Sequence, residues 1–516
     1  MKMKINFTYS LIIFSACVFL LTSCQKELPT QADYTAYEFV SADENGGTWV
    51  PVLLTTPDQI AIEVPADITS DAYQQELADL KSASSDLTTE QEAAVAYWTN
   101  NSALRWNEIA LELIAKYNLI PGPNADGTYT LPNPATPEGP PPFPFAHPPY
   151  ASRALAYLSV AQFDGLITAW HYKYQFNRPA PHQTDGNITA AYADNDIPSY
   201  PSDGAVIAAV SREILTAMFP LEKDYLLAKA AEQMESLQWA GVNVTSDIAA
   251  GEYIGVEVAK VAKLRASTDG MKNAQAPKAV ADSIKAEAFA RFGWQWDNLE
   301  DPVRPVGLAP LFGRVQLWNT PSVEAVRPPI PPAPGTADYQ AAEAELLDLA
   351  ANVTVERRSI ANFWSDGLGT YTPPGHWNRL AKEFIIEAKM NPIRSVRCLA
   401  YMNMALMDGG IACWDAKYYY HYPRPIQNIP GFLTILGTPN FPSYPSGHST
   451  FSAAAAEVLA YIFPAKADIV RAWAAEAAES RVYAGIHWRF DATSGADQGK
   501  SVGLYTVDKA ILDGAD

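Results

Sequence analysis

The sequence predicts a mainly α-helical protein of two related helical bundles, produced by internal duplication, with its chemically useful residues gathered in the C-terminal one. Two observations carry that expectation. Most segments are Ala-rich with apolar residues at helical spacing, as in Ala205 to Met218, Leu226 to Leu237, Phe451 to Ile462 and Ala465 to Ala478, whereas period-two strand patterns are scarce. The run Pro198-Ser199-Tyr200-Pro201-Ser202 recurs as Pro442-Ser443-Tyr444-Pro445-Ser446, an offset of 244 (442 − 198). The same offset pairs Arg153, Leu155, Ala156 and Tyr157 with Arg397, Leu399, Ala400 and Tyr401. It also pairs Asp164-Gly165 with Asp408-Gly409, Phe219-Pro220 with Phe463-Pro464, Ala240-Gly241 with Ala484-Gly485, and Asp247 with Asp491. Upstream the register shifts: Tyr97-Trp98 resembles Phe363-Trp364 and Arg105-Trp106-Asn107 resembles His376-Trp377-Asn378, the slack being taken up by the Pro-rich loop from Leu131 to Pro149. Duplicated helices of this length argue for two bundles packed about a pseudo-twofold axis.

Taken in order, the chain begins with Lys2 and Lys4 before an apolar run, Leu11 to Leu21, which is the length of a signal-peptide core and too short for a membrane span. The run ends in Leu21-Thr22-Ser23-Cys24, which resembles a bacterial lipobox, so residues 1–23 are expected to be a lipoprotein signal and Cys24 the lipidated first residue. Gln25 after that cysteine is compatible with outer-membrane sorting, and the expected location is the bacterial cell envelope, lipid-anchored, with the outer membrane favoured. Residues 24–80 read as an N-terminal extension, 81–290 as the first bundle, 291–336 as a Pro/Trp-rich connector and 337–516 as the second bundle. Within the connector, Arg327-Pro328-Pro329-Ile330-Pro331-Pro332-Ala333-Pro334 cannot be helical, and an inter-domain linker is the preferred reading.

Composition narrows the function classes. A formal charge of −20 and a pI near 4.8 disfavour nucleic acid and anionic membranes as partners, so any anion site must be a local basic focus. The only membrane contact expected is the anchor at Cys24. Of four cysteines, Cys17 and Cys24 belong to the signal, leaving Cys398 and Cys413 as either a bridge or two buried thiols.

Three segments of the second half describe a receptor for a tetrahedral oxyanion: Lys417 with Arg424-Pro425, then Pro445-Ser446-Gly447-His448, then Ser480-Arg481 with His487 and Asp491. Lysine and arginine supply charge and fork-shaped donors, while a serine hydroxyl and an unhindered glycine N–H before a helix add neutral ones. Of the two histidines, one can bond the central atom and the other can handle a proton. Asp491, four residues past His487, is expected on the same helical face, where it can fix the imidazole tautomer.

These motifs resemble the signature of the vanadium haloperoxidase and type 2 phosphatidic acid phosphatase superfamily: Lys, six residues, Arg-Pro; Pro-Ser-Gly-His; Ser-Arg, five residues, His, three residues, Asp. The resemblance implies an all-helical haloperoxidase or acid phosphatase-like fold. It implies that Lys417, Arg424, Ser446, Gly447 and Arg481 bind equatorial oxygens, that His487 bonds vanadium or phosphorus, and that His448 is the acid–base. It also implies catalytic roles for Asp491, behind His487, and for Lys417, polarising a peroxide. Phe363-Trp364-Ser365-Asp366 and Pro373-Pro374-Gly375-His376-Trp377 also look like haloperoxidase sequence, and Asp366 is a candidate partner for an active-site arginine, with Asn100 as its counterpart in the other copy.

The first half lacks the set. By the same offset Gly204 stands for His448, Asp203 for Gly447, Leu237 for Arg481 and Asn243 for His487, while Lys173 and Arg178-Pro179 survive in altered spacing. That copy is expected to be structural. His147, His171 and His182 match no metal-ligand spacing and are read as structural histidines.

One site serves two activities. The resemblance implies either vanadate as cofactor with hydrogen peroxide and halide as substrates, or no cofactor and a phosphate ester hydrolysed through a phosphohistidine. The absence of further spanning segments, the duplication, the run His487-Trp488-Arg489-Phe490-Asp491-Ala492 and the nearby Trp414 and Phe441 favour the peroxidase. The compact 33-residue step from His448 to Arg481 is closer to soluble acid phosphatases. A third reading, a non-catalytic lipid-anchored binding protein, is disfavoured because His448 and His487 persist where the other copy has Gly204 and Asn243.

Overall fold

The computed structural model describes residues 37–99, 101–192 and 197–515, among which helices are the only regular elements. The leader-like run with Cys17 and Cys24 lies outside the described residues, as does Asn100. The first half contains α1 (Asp71–Ala83), α2 (Thr89–Thr99), α3 (Ser102–Tyr117), α4 (Pro148–Phe176), α5 (Asp203–Met218), α6 (Lys223–Trp239) and α7 (Thr245–Thr268), and α8 (Lys278–Phe292) leads to the connector. The second half contains α9 (Ala337–Ala351), α10 (Val355–Phe363), α11 (Thr372–Glu387), α12 (Pro392–Tyr420), α13 (Gly447–Ile462), α14 (Ala467–Tyr483) and α15 (Arg489–Ala510). Helices α4 to α7 therefore recur as α12 to α15 at the offset seen in the sequence. Helix α13 starts four residues before its apolar periodicity does, because the Ser446 hydroxyl caps it by accepting from the Ser449 N–H.

The halves share one core. The two 29-residue helices α4 and α12 pack directly on each other, and counterpart residues meet where they cross the interface. Asn107 of α3 donates to Asn378 of α11 at 2.9 Å, Asn378 donates to Asn403 at 2.7 Å, and Asn403 donates to Ser159 at 3.3 Å, Ser159 being its own counterpart in α4. All four are buried. A buried polar chain satisfied in this way fixes the register between the halves, as an apolar seam would not.

The duplication reaches further upstream than the sequence indicates. Asp164 of α4, fully buried, accepts the backbone N–H groups of Val52, Leu53 and Leu54 at 2.8, 2.6 and 2.9 Å. Its counterpart Asp408 of α12 accepts those of Trp318, Asn319 and Thr320 at 2.7, 2.8 and 2.8 Å. Gly47 lies against His171 and Gly313 against Asp415, again counterpart positions, each too close to admit a Cβ. The connector is thus a clasp on α12, and part of the N-terminal extension is the matching clasp on α4. Its Arg327–Pro334 stretch is non-helical as its prolines require, preceded by single turns at Phe312–Arg314 and Val323–Val326.

Cys398 and Cys413 are both buried and free. They lie on one helix fifteen positions apart, roughly 22 Å along its axis at about 1.5 Å per residue, so no bridge joins them.

Candidate active site

The three motif segments converge at one end of the second bundle, and the packing of α13 on α15 brings two of them together. A Cβ on Gly495 would stand 2.7 Å from the Ser446 carbonyl and one on Gly499 2.2 Å from that of Thr450, so these glycines let the helix axes approach. The Ser446 N–H donates to the Asp491 carbonyl at 2.9 Å, which ties the start of α13 to the first turn of α15.

His487 precedes α15 rather than riding on it, since Trp488 is the cap and the helix begins at Arg489. The expected same-face pairing with Asp491 is therefore replaced by a capping arrangement. One Asp491 oxygen, Oδ2, accepts from His487 Nδ1 at 2.9 Å, from the Trp488 N–H at 3.1 Å and from Ser443 Oγ at 2.5 Å. With Nδ1 as donor to a carboxylate, the proton of neutral His487 sits there, and Nε2 carries a lone pair. Arg424 Nη1 lies 2.9 Å from that Nε2 and can only donate, which fixes the same tautomer from the other side.

The cations are buried and held by backbone. Arg424 donates to the carbonyls of Ile486 and Phe441, and Arg481 to Ser480 Oγ and the Ala361 carbonyl. Lys417 Nζ donates to the carbonyls of Pro442 at 2.9 Å, Ser443 at 2.8 Å and Pro445 at 2.5 Å, so all three hydrogens are engaged. Lys417 thereby braces the loop carrying Ser446 and places its charge behind it. Burial pushes both guanidiniums down to about 10 and lowers Lys417 as well, while Asp491 is raised by the same cause. Burial first, then Arg481 for His448 and Arg424 for His487, hold both imidazoles well below their ordinary values and hence neutral. A buried set of donors with so few compensating anions is what a bound oxyanion would complete.

His448 has 18% of its side chain exposed, yet its Nε2 is covered and has no hydrogen-bond partner, while the ring also bonds the Ser365 backbone. Asp366 was expected to pair with an active-site arginine. Its carboxylate instead takes His376 Nδ1 with both oxygens, at 3.0 and 3.1 Å, and lies 4.0 Å from His448 Nε2. The physical reason is local: Asp366 and His376 face each other across the loop between α10 and α11, and the His376 ring is stacked on Trp364 at 4.5 Å. Neither His376 nor Ser443 stands out as a site residue in the sequence, although Ser443 lies within the repeated Pro-Ser-Tyr-Pro-Ser run.

Gly447, His448, Arg481 and His487 open onto a cavity of about 440 Å³ whose walls include Ile120, Phe145, Leu308, Trp414, Leu436 and Phe441. The first half and the connector thus contribute to the site, which the sequence did not indicate. Lys417, Arg424 and Ser446 stand behind that lining.

The first half shows the same scaffold with its cations paired to its own carboxylates, beside a smaller cavity of about 110 Å³ lined by Lys173, Asp203, Gly204, Leu237 and Asn243. Asp203 Oδ1 pairs with Lys173 Nζ at 3.1 Å, Asp247 pairs with Arg178, and Ser202 Oγ donates to Asn243 at 2.8 Å. A Cβ on Gly204 would stand 2.9 Å from Leu237, leaving no place for an imidazole. His147, half-buried and pushed down to about 3 by desolvation, caps α4 by accepting from the Tyr150 N–H. No group of three or more His, Cys, Asp or Glu side chains suited to a metal ion occurs among the described residues. None of the described helices is long and apolar enough to cross a membrane.

Comparison with known proteins agrees with this geometry. Residues 397–509 match the model of the PAP2 superfamily, a span containing every residue of the three motifs. A vanadium chloroperoxidase of Curvularia inaequalis is 23% identical over 24% of this chain, and the match spans 34% of that protein's own length. The fold is shared with a bacterial vanadium-dependent iodoperoxidase (TM-score 0.59, 20% identity, 79% of this chain and 96% of that one). It is shared too with a bacterial vanadium-dependent chloroperoxidase (TM-score 0.51, 16% identity, 77% and 100%).

Proposed function

We propose that this protein, whose C-terminal half carries a PAP2 superfamily domain, is a vanadate-dependent haloperoxidase-like oxidoreductase that oxidises halide with hydrogen peroxide. The observation that supports it most is the orientation of His487: Asp491 holds the Nδ1 proton, so the Nε2 lone pair faces Arg424 among buried donors, beside an apolar cavity. The donor set fits a tetrahedral oxyanion, with Arg424, Arg481, Ser446 and the Gly447 N–H at the start of α13 placed to hold its oxygens. Vanadate bound there would supply Lewis-acid activation of hydrogen peroxide toward halide. His487 orients the group, His448 exchanges the proton, and Trp414 and Phe441 keep bulk water from it.

The same lone pair could attack phosphorus, and the short step from His448 to Arg481 favours this second reading, a phosphomonoesterase with a phosphohistidine intermediate. The deciding experiment uses protein lacking residues 1–23, assayed for vanadate-dependent oxidation of iodide and bromide and for hydrolysis of an aryl phosphate, with His487→Ala as control. Halide oxidation lost in the variant supports the peroxidase. Hydrolysis inhibited by vanadate, without halide turnover, overturns it in favour of the phosphatase. We further propose lipidation at Cys24 in the bacterial envelope; metabolic labelling with an alkyne fatty acid, absent in Cys24→Ser, tests it.

A further inference from the structure

In the first half a carboxylate has taken over the anion's place, since Asp203 pairs with Lys173 inside the former receptor. The second half also carries a carboxylate at the rim of its receptor, Asp366, which is 4.0 Å from the unpartnered Nε2 of His448 and close enough for its charge to act on Arg481. Nothing in its chemistry prevents the same collapse, because an aspartate and an arginine in a dry site attract strongly. What occupies it is His376, which donates Nδ1 to the carboxylate at 3.0 and 3.1 Å. That ring is itself fixed: it is buried, stacked on Trp364, flanked edge-on by Phe363 and Tyr371, and its Nε2 lies 3.3 Å from Arg379. Asp366 is held at φ 42°, in the left-handed region, where a non-glycine residue stays only when its surroundings hold it.

We infer that His376 is a positioning residue that sequesters Asp366, keeping its carboxylate off Arg481 and His448 so that both remain free for the oxyanion. The inference rests on the reading of this site as an oxyanion receptor and is indifferent to whether the anion is vanadate or a phosphate ester. It also explains why Arg481 hydrogen-bonds a serine hydroxyl and a backbone carbonyl, and no carboxylate. His376 touches neither anion nor substrate; it acts through Asp366.

The test measures inorganic vanadate affinity by calorimetry on the full mature protein, independently of turnover. His376→Phe keeps the stacked ring and removes the donor, and should weaken vanadate binding about tenfold or more. His376→Asn, which restores a donor near Nδ1, should recover most of that loss. Adding Asp366→Asn to His376→Phe should also recover it, because the freed side chain no longer carries charge, whereas a merely structural role for His376 would leave the double variant as weak as the single one. Equal affinity in wild type and His376→Phe, or no recovery in the double variant, overturns the inference while leaving the receptor intact. If the wild type binds neither vanadate nor phosphate, the receptor reading itself falls, and the role of His376 with it.

Discussion

Replacing Asp491 by Asn separates the functional role of that residue from its structural cost. Its Oδ2 accepts from His487 Nδ1, Trp488 N–H and Ser443 Oγ, and its Oδ1 has no partner. An asparagine can place its carbonyl at the Oδ2 position and its amide at the vacant one, so all three bonds survive without the charge. A hydrogen bond to a charged group contributes about 1.5–3 kcal/mol and a neutral one about 0.5–1.5 kcal/mol. The His487 contact therefore weakens by about 1.4 kcal/mol, roughly tenfold in vanadate affinity. A less negative surrounding would by itself favour an anion. Lys417 offsets that, because burial already lowers it and the variant removes the carboxylate that helps it keep its proton. Stability should move the other way. Burial raises Asp491, so its ionised form is disfavoured in the folded protein at neutral pH, and the neutral side chain removes that penalty. Calorimetry with vanadate and thermal unfolding should show about tenfold weaker binding with an unchanged or higher melting temperature. Unchanged affinity would refute the tautomer argument; a lower melting temperature would mean that the bonds did not survive.

Other expectations follow from the same geometry. Since burial and neighbouring cations hold Lys417, His448 and His487 below their ordinary values in the free site, a bound oxyanion raises them. Binding must then take up protons and weaken as pH rises through the Lys417 range near 7; calorimetry in two buffers of different ionisation enthalpy at pH 7 would contradict this by showing proton release. Asp164→Ala strands the N–H groups of Val52, Leu53 and Leu54 and should cost about 3 kcal/mol in urea unfolding; less than about 1 kcal/mol would mean that the clasp is not holding α4. Vanadate should bind at one equivalent per chain, because Asp203 and Asp247 already neutralise the cations of the first half, and a second equivalent would show that half to be open.

What was legible in the sequence is what the chemistry needs in short contiguous runs. Arg424, Ser446, Gly447, His448, Arg481 and His487 are found together because each motif is set by one turn or one helix end. Asp491 was assigned the correct partner through the wrong geometry: four residues suggests a helical face, but the contact is made by a cap one turn earlier. The clasps on Asp164 and Asp408 left no trace because their donors are backbone N–H groups, which any residue supplies, and only the aspartates repeat. Asp366 was half legible for a related reason: its charge does act on Arg481, but its hydrogen bonds go to His376. Its partner is chosen by which donor the folded loop presents, and His376 is nearer in space than any arginine.

The contrast between the halves is a matter of where carboxylates go. Both keep a lysine at the matching place and an arginine close by, Arg178 standing two residues short of the position that matches Arg424, and both keep the aspartate at the start of the last helix of the set. In the first half Asp247 pairs with Arg178 and Asp203 with Lys173, so charge is balanced within the chain and no ligand is called for. In the second half Asp491 is turned to His487, Asp366 to His376 and Glu300 at the cavity to Arg304, so Arg424, Arg481 and Lys417 are left with neutral acceptors. A chain of formal charge −20 can therefore hold an oxyanion, because screening in water mutes its surface charges while the buried imbalance is felt at full strength. By this reasoning a single acid in place of Gly447, the change that Asp203 represents in the first half, would suffice to silence the second.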